Sequence, residues 1–112
     1  MSIKIIGNSL PNIPWEEKNS ANDGLPLWRY SKNPIVGWNP TPSTARIFNS
    51  AVLPYKDGFI GVFRADSKHI NPALHVGHSK DGIKWEFDDM PIAWVDEDGN
   101  PYNHEIHSYD PR

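Results

Sequence analysis

Proline and glycine, which limit regular helix more than any other residues, recur along nearly the whole of this chain. Eleven prolines and eight glycines occur in 112 residues. Proline removes a backbone donor and clashes with the preceding helical turn, so such punctuation breaks long helices and favours short strands joined by turns. The expected class is all-β. A hydrophobic content of 38% is low for a chain of this length that buries its own core.

Three regions follow from the pattern. Residues 1–44 form a polar, turn-rich segment in which Pro11, Pro14, Gly24 and Pro26 are spaced along the chain and Trp15 is the expected anchor. Leu27-Trp28-Arg29-Tyr30 reads as a short flanking strand, and Asn33-Pro34-Ile35-Val36-Gly37-Trp38 runs into the proline-rich linker Asn39-Pro40-Thr41-Pro42.

Residues 45–89 read as strand, turn, strand, loop, strand, turn, strand. Arg46 to Leu53 alternates, with Ile47, Asn49, Ala51 and Leu53 on one face and Phe48, Ser50 and Val52 on the other. Tyr55-Lys56-Asp57-Gly58 is a hairpin signal in which Asp-Gly is expected to supply the positive φ, and Phe59 to Arg64 returns from it. Leu74 to Ser79 is the third strand, and Lys80-Asp81-Gly82 turns into the fourth, Ile83 to Phe87. Four antiparallel strands within about 45 residues have the length of a propeller blade.

No second copy of the pattern occurs, and a lone blade leaves an apolar face uncovered, so the chain is expected to be part of something larger. Its open blade edges make self-association an expected behaviour. Residues 90–112 carry the acidic turn Asp96-Glu97-Asp98-Gly99-Asn100-Pro101 and lead toward the start of a next blade, cut short at Arg112.

The formal net charge is −3 and the eleven Lys and Arg form no cluster, which argues against a nucleic-acid partner. With no cysteine there is neither a disulfide framework nor a thiolate metal site. No stretch approaches the ~18 apolar residues of a membrane span, and the apolar run near Met1 is too short for a signal peptide, so a cytoplasmic location is expected.

Several motifs in order carry a resemblance. They are Leu27-Trp28-Arg29-Tyr30-Ser31, Asn33-Pro34-Ile35, Ile47-Phe48-Asn49-Ser50-Ala51-Val52, Asp57-Gly58-Phe59 and Gly61-Val62-Phe63-Arg64. Leu74-His75-Val76-Gly77, Ser79-Lys80-Asp81-Gly82-Ile83-Lys84-Trp85 and Tyr109-Asp110-Pro111-Arg112 follow. Together they resemble glycoside hydrolase family 130, five-bladed β-propellers that include mannoside phosphorylases, and most closely the branch acting on β-1,4-mannooligosaccharides or mannosyl-N-acetylglucosamine.

The resemblance implies a fragment of a five-bladed β-propeller, about one complete blade plus flanking strands. It also implies an inverting phosphorolysis, in which inorganic phosphate as cosubstrate attacks the anomeric carbon of a terminal β-mannosyl unit and α-mannose 1-phosphate leaves. No other cofactor is implied. Asp110 matches the family's general acid, acting through a hydroxyl of the sugar, while Asn49, Ser50 and Arg64 match positions that hold the mannosyl ring. The family's phosphate-binding arginines and lysine lie downstream of its Tyr-Asp-Pro-Arg motif, so the isolated chain is expected to be inactive. A β-mannosidase of the same fold, and a non-catalytic piece that binds sugar weakly, are the alternatives.

Residue chemistry agrees with that placement without requiring it. An inverting glycosyl transfer needs one carboxylic acid to protonate the leaving oxygen while a nucleophile approaches the opposite face, a role open to Asp110; an Asp before a proline is otherwise a turn or cap residue. Arg64 ends an apolar strand, where its guanidinium needs sugar hydroxyls or a carboxylate; a strand-end salt bridge is the plainer use. Asn49 sits among apolar residues and must find hydrogen-bond partners, either on a sugar or on a neighbouring loop. Ser50 faces away from Asn49 on a regular strand, so both touching one sugar requires a bulge.

Arg46 is read as solvent-facing, and Trp38 and Trp94 as packing residues rather than sugar platforms. His75 and His78 have i, i+3 spacing, which on a strand points to opposite faces, and His104-Glu105-Ile106-His107 is one residue short of the helical His-Glu-x-x-His of zinc proteases, so no metal site is expected. The run Asp96-Glu97-Asp98 is read as a solvated turn rather than a calcium loop.

Overall fold

The computed structural model describes residues 24, 26–27, 29–69, 71–102 and 110–112. These contain no helix and four strands: β1 (Thr44–Tyr55), β2 (Gly58–Ser67), β3 (Pro72–Ser79) and β4 (Trp85–Phe87). They form one antiparallel sheet in the order β1-β2-β3-β4. The all-β class and the four-strand meander are as expected. The described residues form one blade-sized sheet and no closed ring of blades.

Several details differ from the sequence reading. β4 begins at Trp85 rather than Ile83, because the Ile83 and Lys84 amides are taken by the Asp81 carboxylate in the turn. Leu27, Arg29 and Tyr30 belong to no strand; the Tyr30 carbonyl accepts from the Asn33 N–H at 3.1 Å, so the chain turns there instead of running along a sheet edge. Trp28 lies outside the described residues, as do Pro11, Pro14 and Trp15. In the β1–β2 hairpin the left-handed residue is Lys56, with φ of +54°, and Gly58 has no positive φ. Gly58 is needed for another reason: a Cβ there would stand 2.3 Å from the Ser79 carbonyl oxygen, so only a glycine lets β2 begin so close to the end of β3.

The core lies on one face of the sheet. Phe59, Gly61, Phe63 and Ala65 alternate along β2, opposite Ser79, Gly77, His75 and Ala73 of β3. Phe59, Phe63 and Ala65 are buried, and Ala65 is fully so. The Phe63 ring lies over the in-register pair Gly61 and Gly77, where an added Cβ would come within 2.6 and 2.8 Å of its Cε2. Trp85 and Phe87 then meet Phe63 edge-on, with centroid separations of 4.8 and 5.0 Å. Two glycines in register therefore make the space in which three aromatic rings interlock, the geometry aromatic side chains favour.

A side-chain motif closes the β3–β4 connection. The Ser79 hydroxyl accepts from the N–H groups of Asp81 and Gly82, and the Asp81 carboxylate accepts from those of Ile83 and Lys84. The Lys84 and Ile83 amides hold the Asp81 carboxyl below its usual range. Trp85 Nε1 donates to the Gly82 carbonyl at 3.0 Å, so the turn delivers the indole to the aromatic cluster.

At the other end of the sheet, β1 enters through a clamp. Thr41 and Thr44 share a hydrogen bond of 2.8 Å between buried hydroxyls. The Ser43 amide donates to the Asp89 carboxylate at 2.8 Å, its hydroxyl donates to the Asp89 carbonyl at 2.9 Å, and His75 Nδ1 contacts the Asp88 carbonyl at 2.9 Å.

The Thr41 hydroxyl, then the Ser43 hydroxyl and amide, lower the Asp89 pKa from 3.8 to about 2. Because the fold binds the ionised form, this stabilisation is complete above pH 3.8 and is lost as pH falls through about 2. Asp89→Asn is therefore expected to lower the urea midpoint at pH 6 and to converge with the parent at pH 2. A difference that persists unchanged at pH 2 would show that the carboxylate charge is not what the clamp uses.

The opposite face and the β1 edge remain largely uncovered among the described residues. Leu53 and Tyr55 of β1 are exposed, as are Met90 and Val95 beyond β4. Trp38 and Trp94, expected to pack, are 74% and 44% exposed. The sheet has the small buried core expected of a unit that stacks against neighbours.

Candidate functional site

The site forms around an irregularity in β1. Ile47 pairs with Ala65 and Ser50 with Phe63, so three residue steps on β1 face two on β2. The extra residue is a β-bulge, which bends a strand and re-aims its side chains. A bulge here is the condition the sequence reading set for Asn49 and Ser50 to serve one site.

Within the bulge, Asn49 is exposed and its Nδ2 donates to the Asp110 carboxylate. Residues 61 apart in the chain, both picked from the sequence, thus meet directly. Beyond the bulge, Ser50 returns to the aromatic face and lines a cleft of about 770 Å³ with Arg29, Asn33, Phe48, Phe63 and Trp85. The bulge places the two neighbours in different surroundings: Asn49 at the carboxylate, Ser50 at the cleft.

Arg64 lies on the other face of β2 from Phe63 and is largely buried, with 15% of its side chain exposed. Its guanidinium stands 5.0 Å from the centre of the Phe48 ring and 3.7 Å from Asp66 Oδ1. Arg46 was expected to face solvent but is paired: its Nε and Nη2 each lie 3.1 Å from Asp66 Oδ2, and its guanidinium is 5.1 Å from the Phe48 ring. Arg46 is opposite Asp66 in the β1–β2 register, which brings the carboxylate to it.

Phe48, Arg46 and Asp66 were therefore missed as neighbours of the site. A signal for Asp66 existed: it stands two residues after Arg64, hence on the same strand face. Nothing in the sequence reports Phe48, because its position depends on the bulge.

The remaining candidates resolve simply. His75 is buried and His78 exposed, on opposite faces of β3, while His104, Glu105 and His107 lie outside the described residues. Asp96 folds its own loop, accepting from the amides of Asp98 and Asn100. The Asn100 amide is the main cause holding the Asp96 carboxyl below its usual range.

An all-β sheet here joins an amide and a carboxylate at a bulge, beside an aromatic ring that faces two guanidiniums, a set of groups that can donate to and accept from hydroxyls. The comparisons place the chain more narrowly. Residues 8–112 match the profile of glycoside hydrolase family 130, described as beta-1,4-mannooligosaccharide phosphorylase, and the chain belongs to that family. It is 43% identical over 118 aligned positions to a beta-1,4-mannooligosaccharide phosphorylase of Ruminococcus albus, an alignment covering 100% of this chain and 35% of that protein. The chain thus spans about a third of the length of the curated relative it matches.

Proposed function

We propose that this chain forms the N-terminal portion of an inverting phosphorylase of β-1,4-mannooligosaccharides, and that its sheet is one blade of a five-bladed propeller. The observation that carries the reading is the hydrogen bond from Asn49 to Asp110, which joins two separately chosen residues at a bulge. Support comes also from the 43% identity to the Ruminococcus albus phosphorylase.

In this reading a phosphate oxygen attacks the anomeric carbon of the terminal β-mannosyl unit as the glycosidic carbon–oxygen bond breaks. The departing oxygen takes a proton that originates on Asp110, relayed through a sugar hydroxyl. Phosphate arrives already anionic, so it takes the place of a base-activated water, and inversion gives α-mannose 1-phosphate. Asn49 engages one carboxyl oxygen of Asp110 and leaves the other to carry the proton. Asn49, Ser50 and Arg64 are assigned to the mannosyl hydroxyls by the family resemblance; in this sheet Asn49 stands at Asp110, while Ser50 lines the cleft and Arg64 lies on the other face of β2.

For the 112-residue chain alone we propose no turnover. Its exposed β1 edge, with Leu53 and Tyr55 uncovered, favours self-association instead. The phosphorylase reading and the inactivity of the short chain are tested by one assay, phosphate consumption with β-1,4-mannobiose, run on the short chain and on the chain extended to the length of its relative; sedimentation of the short chain tests its self-association. Turnover only in the longer protein, dependent on phosphate, is the expected result. Phosphate-independent release of mannose would replace the phosphorylase by a β-mannosidase, and turnover by the short chain would overturn the proposed incompleteness of its site.

A further inference from the structure

We propose that Asp66 is a positioning residue that sets the guanidinium of Arg64 for sugar binding, an inference that rests on the reading of Arg64 as a mannose-subsite residue. The Asp66 carboxylate is nearly enclosed, with 7% of its side chain exposed. Its two oxygens serve two cations: Oδ2 takes Arg46, and Oδ1 faces Arg64. The Phe48 ring meets both guanidiniums, at 5.1 and 5.0 Å, within the range of attraction between a cation and an aromatic face.

Arg64 is thus held from two directions, by a carboxylate and by a ring. Geometry brings the parts together for simple reasons. Asp66 follows Arg64 by two residues and so shares its face, while Arg46 stands opposite Asp66 in the cross-strand register. Phe48 precedes Asn49 in the bulge, so the ring that braces Arg64 is adjacent in the chain to the amide that holds Asp110.

One carboxylate faces two guanidiniums against one ring. Removing its charge removes the attraction and leaves two like charges to repel each other. The consequence falls on the aim of Arg64 and therefore on sugar binding, with little effect on the proton donor.

The test uses the chain extended to the length of its relative, with β-1,4-mannobiose and phosphate as substrates. Asp66→Asn is expected to raise KM for mannobiose about tenfold and to change kcat less than about twofold, the pattern of lost uniform binding. In an Arg64→Ala background the same substitution is expected to add less than about twofold, because residues acting through one another are not additive. A purely structural role would lower the melting temperature without this split and without this non-additivity. Should Asp66→Asn yield no folded protein, Asp66→Glu, which keeps the charge and displaces it, is expected to raise KM about threefold on the same pattern.

An unchanged KM in Asp66→Asn, or a full effect on top of Arg64→Ala, overturns the inference. An unchanged KM in Arg64→Ala instead sinks the underlying assignment of Arg64. Absence of any phosphate-dependent turnover in the unsubstituted protein overturns the proposed function itself, so the three failures are distinguishable.

Discussion

Asp110→Asn, in the chain extended to the length of its relative, is expected to lower kcat for mannobiose phosphorolysis by about 10²–10⁴-fold while leaving KM nearly unchanged, the range a positioned general acid contributes. The reason for the split is local. An asparagine at this position keeps an oxygen that can accept from Asn49 Nδ2, so the contact at the bulge survives while the exchangeable acidic proton is lost. The loss corresponds to about 3–5 kcal/mol of transition-state stabilisation. It should shrink with an aryl mannoside whose leaving group departs without protonation, since the acid then has nothing to assist. A kcat within tenfold of the parent on mannobiose, or an equal loss on the aryl substrate, would remove Asp110 from the acid role.

Phe63→Ala is expected to give the largest loss of stability of any single change in the sheet, about 3–5 kcal/mol for an aromatic side chain removed from a core. Three features set that size. The ring is buried at 5% exposure, it is the common partner of Trp85 and Phe87, and it covers the two glycines Gly61 and Gly77. Few other apolar side chains are buried among the described residues, so neighbours cannot collapse into the vacancy without breaking the cluster. A typical domain is stable by only about 5–15 kcal/mol, so a loss of this size approaches the whole of it in a small unit. Urea unfolding followed by tryptophan fluorescence measures the effect directly, because Trp85 reports on the same cluster. A shift below about 1 kcal/mol would mean that the core lies elsewhere.

The two predictions depend on different kinds of information. Phe63 was legible as a residue of the returning strand Phe59 to Arg64, but its partners were not. The cluster exists because Gly61 and Gly77 fall in register, and register is a property of pairing between strands. The hairpin shows the same division. The sequence Tyr55-Lys56-Asp57-Gly58 announced a turn at the right place, yet the positive φ went to Lys56, while Gly58 is demanded by the Ser79 carbonyl across the sheet. Leu27, Arg29 and Tyr30 had strand-like composition, yet among the described residues they pair with no strand and the chain turns at Tyr30.

The candidate site divides likewise. Asp110, Asn49, Ser50 and Arg64 were chosen from ordered motifs. The contact of Asn49 with Asp110 was not, since it arises at a bulge that no alternation pattern announces, and Ser50 and Arg64 lie in other surroundings. Arg46 looked solvent-facing because nothing in a one-dimensional pattern says which residue of β2 lies across from it.

By itself, the sequence determined the class of this protein: spaced prolines and glycines and period-two alternation allow strands and forbid long helices, and these are effects between near neighbours in the chain. Only the tertiary structure decided the bulge at Ile47–Ser50, the contact of Asn49 with Asp110, and the sharing of Asp66 by Arg46 and Arg64. Each of these depends on which residues are brought opposite one another across strands and loops, and the intrinsic preferences of single residues do not specify that pairing.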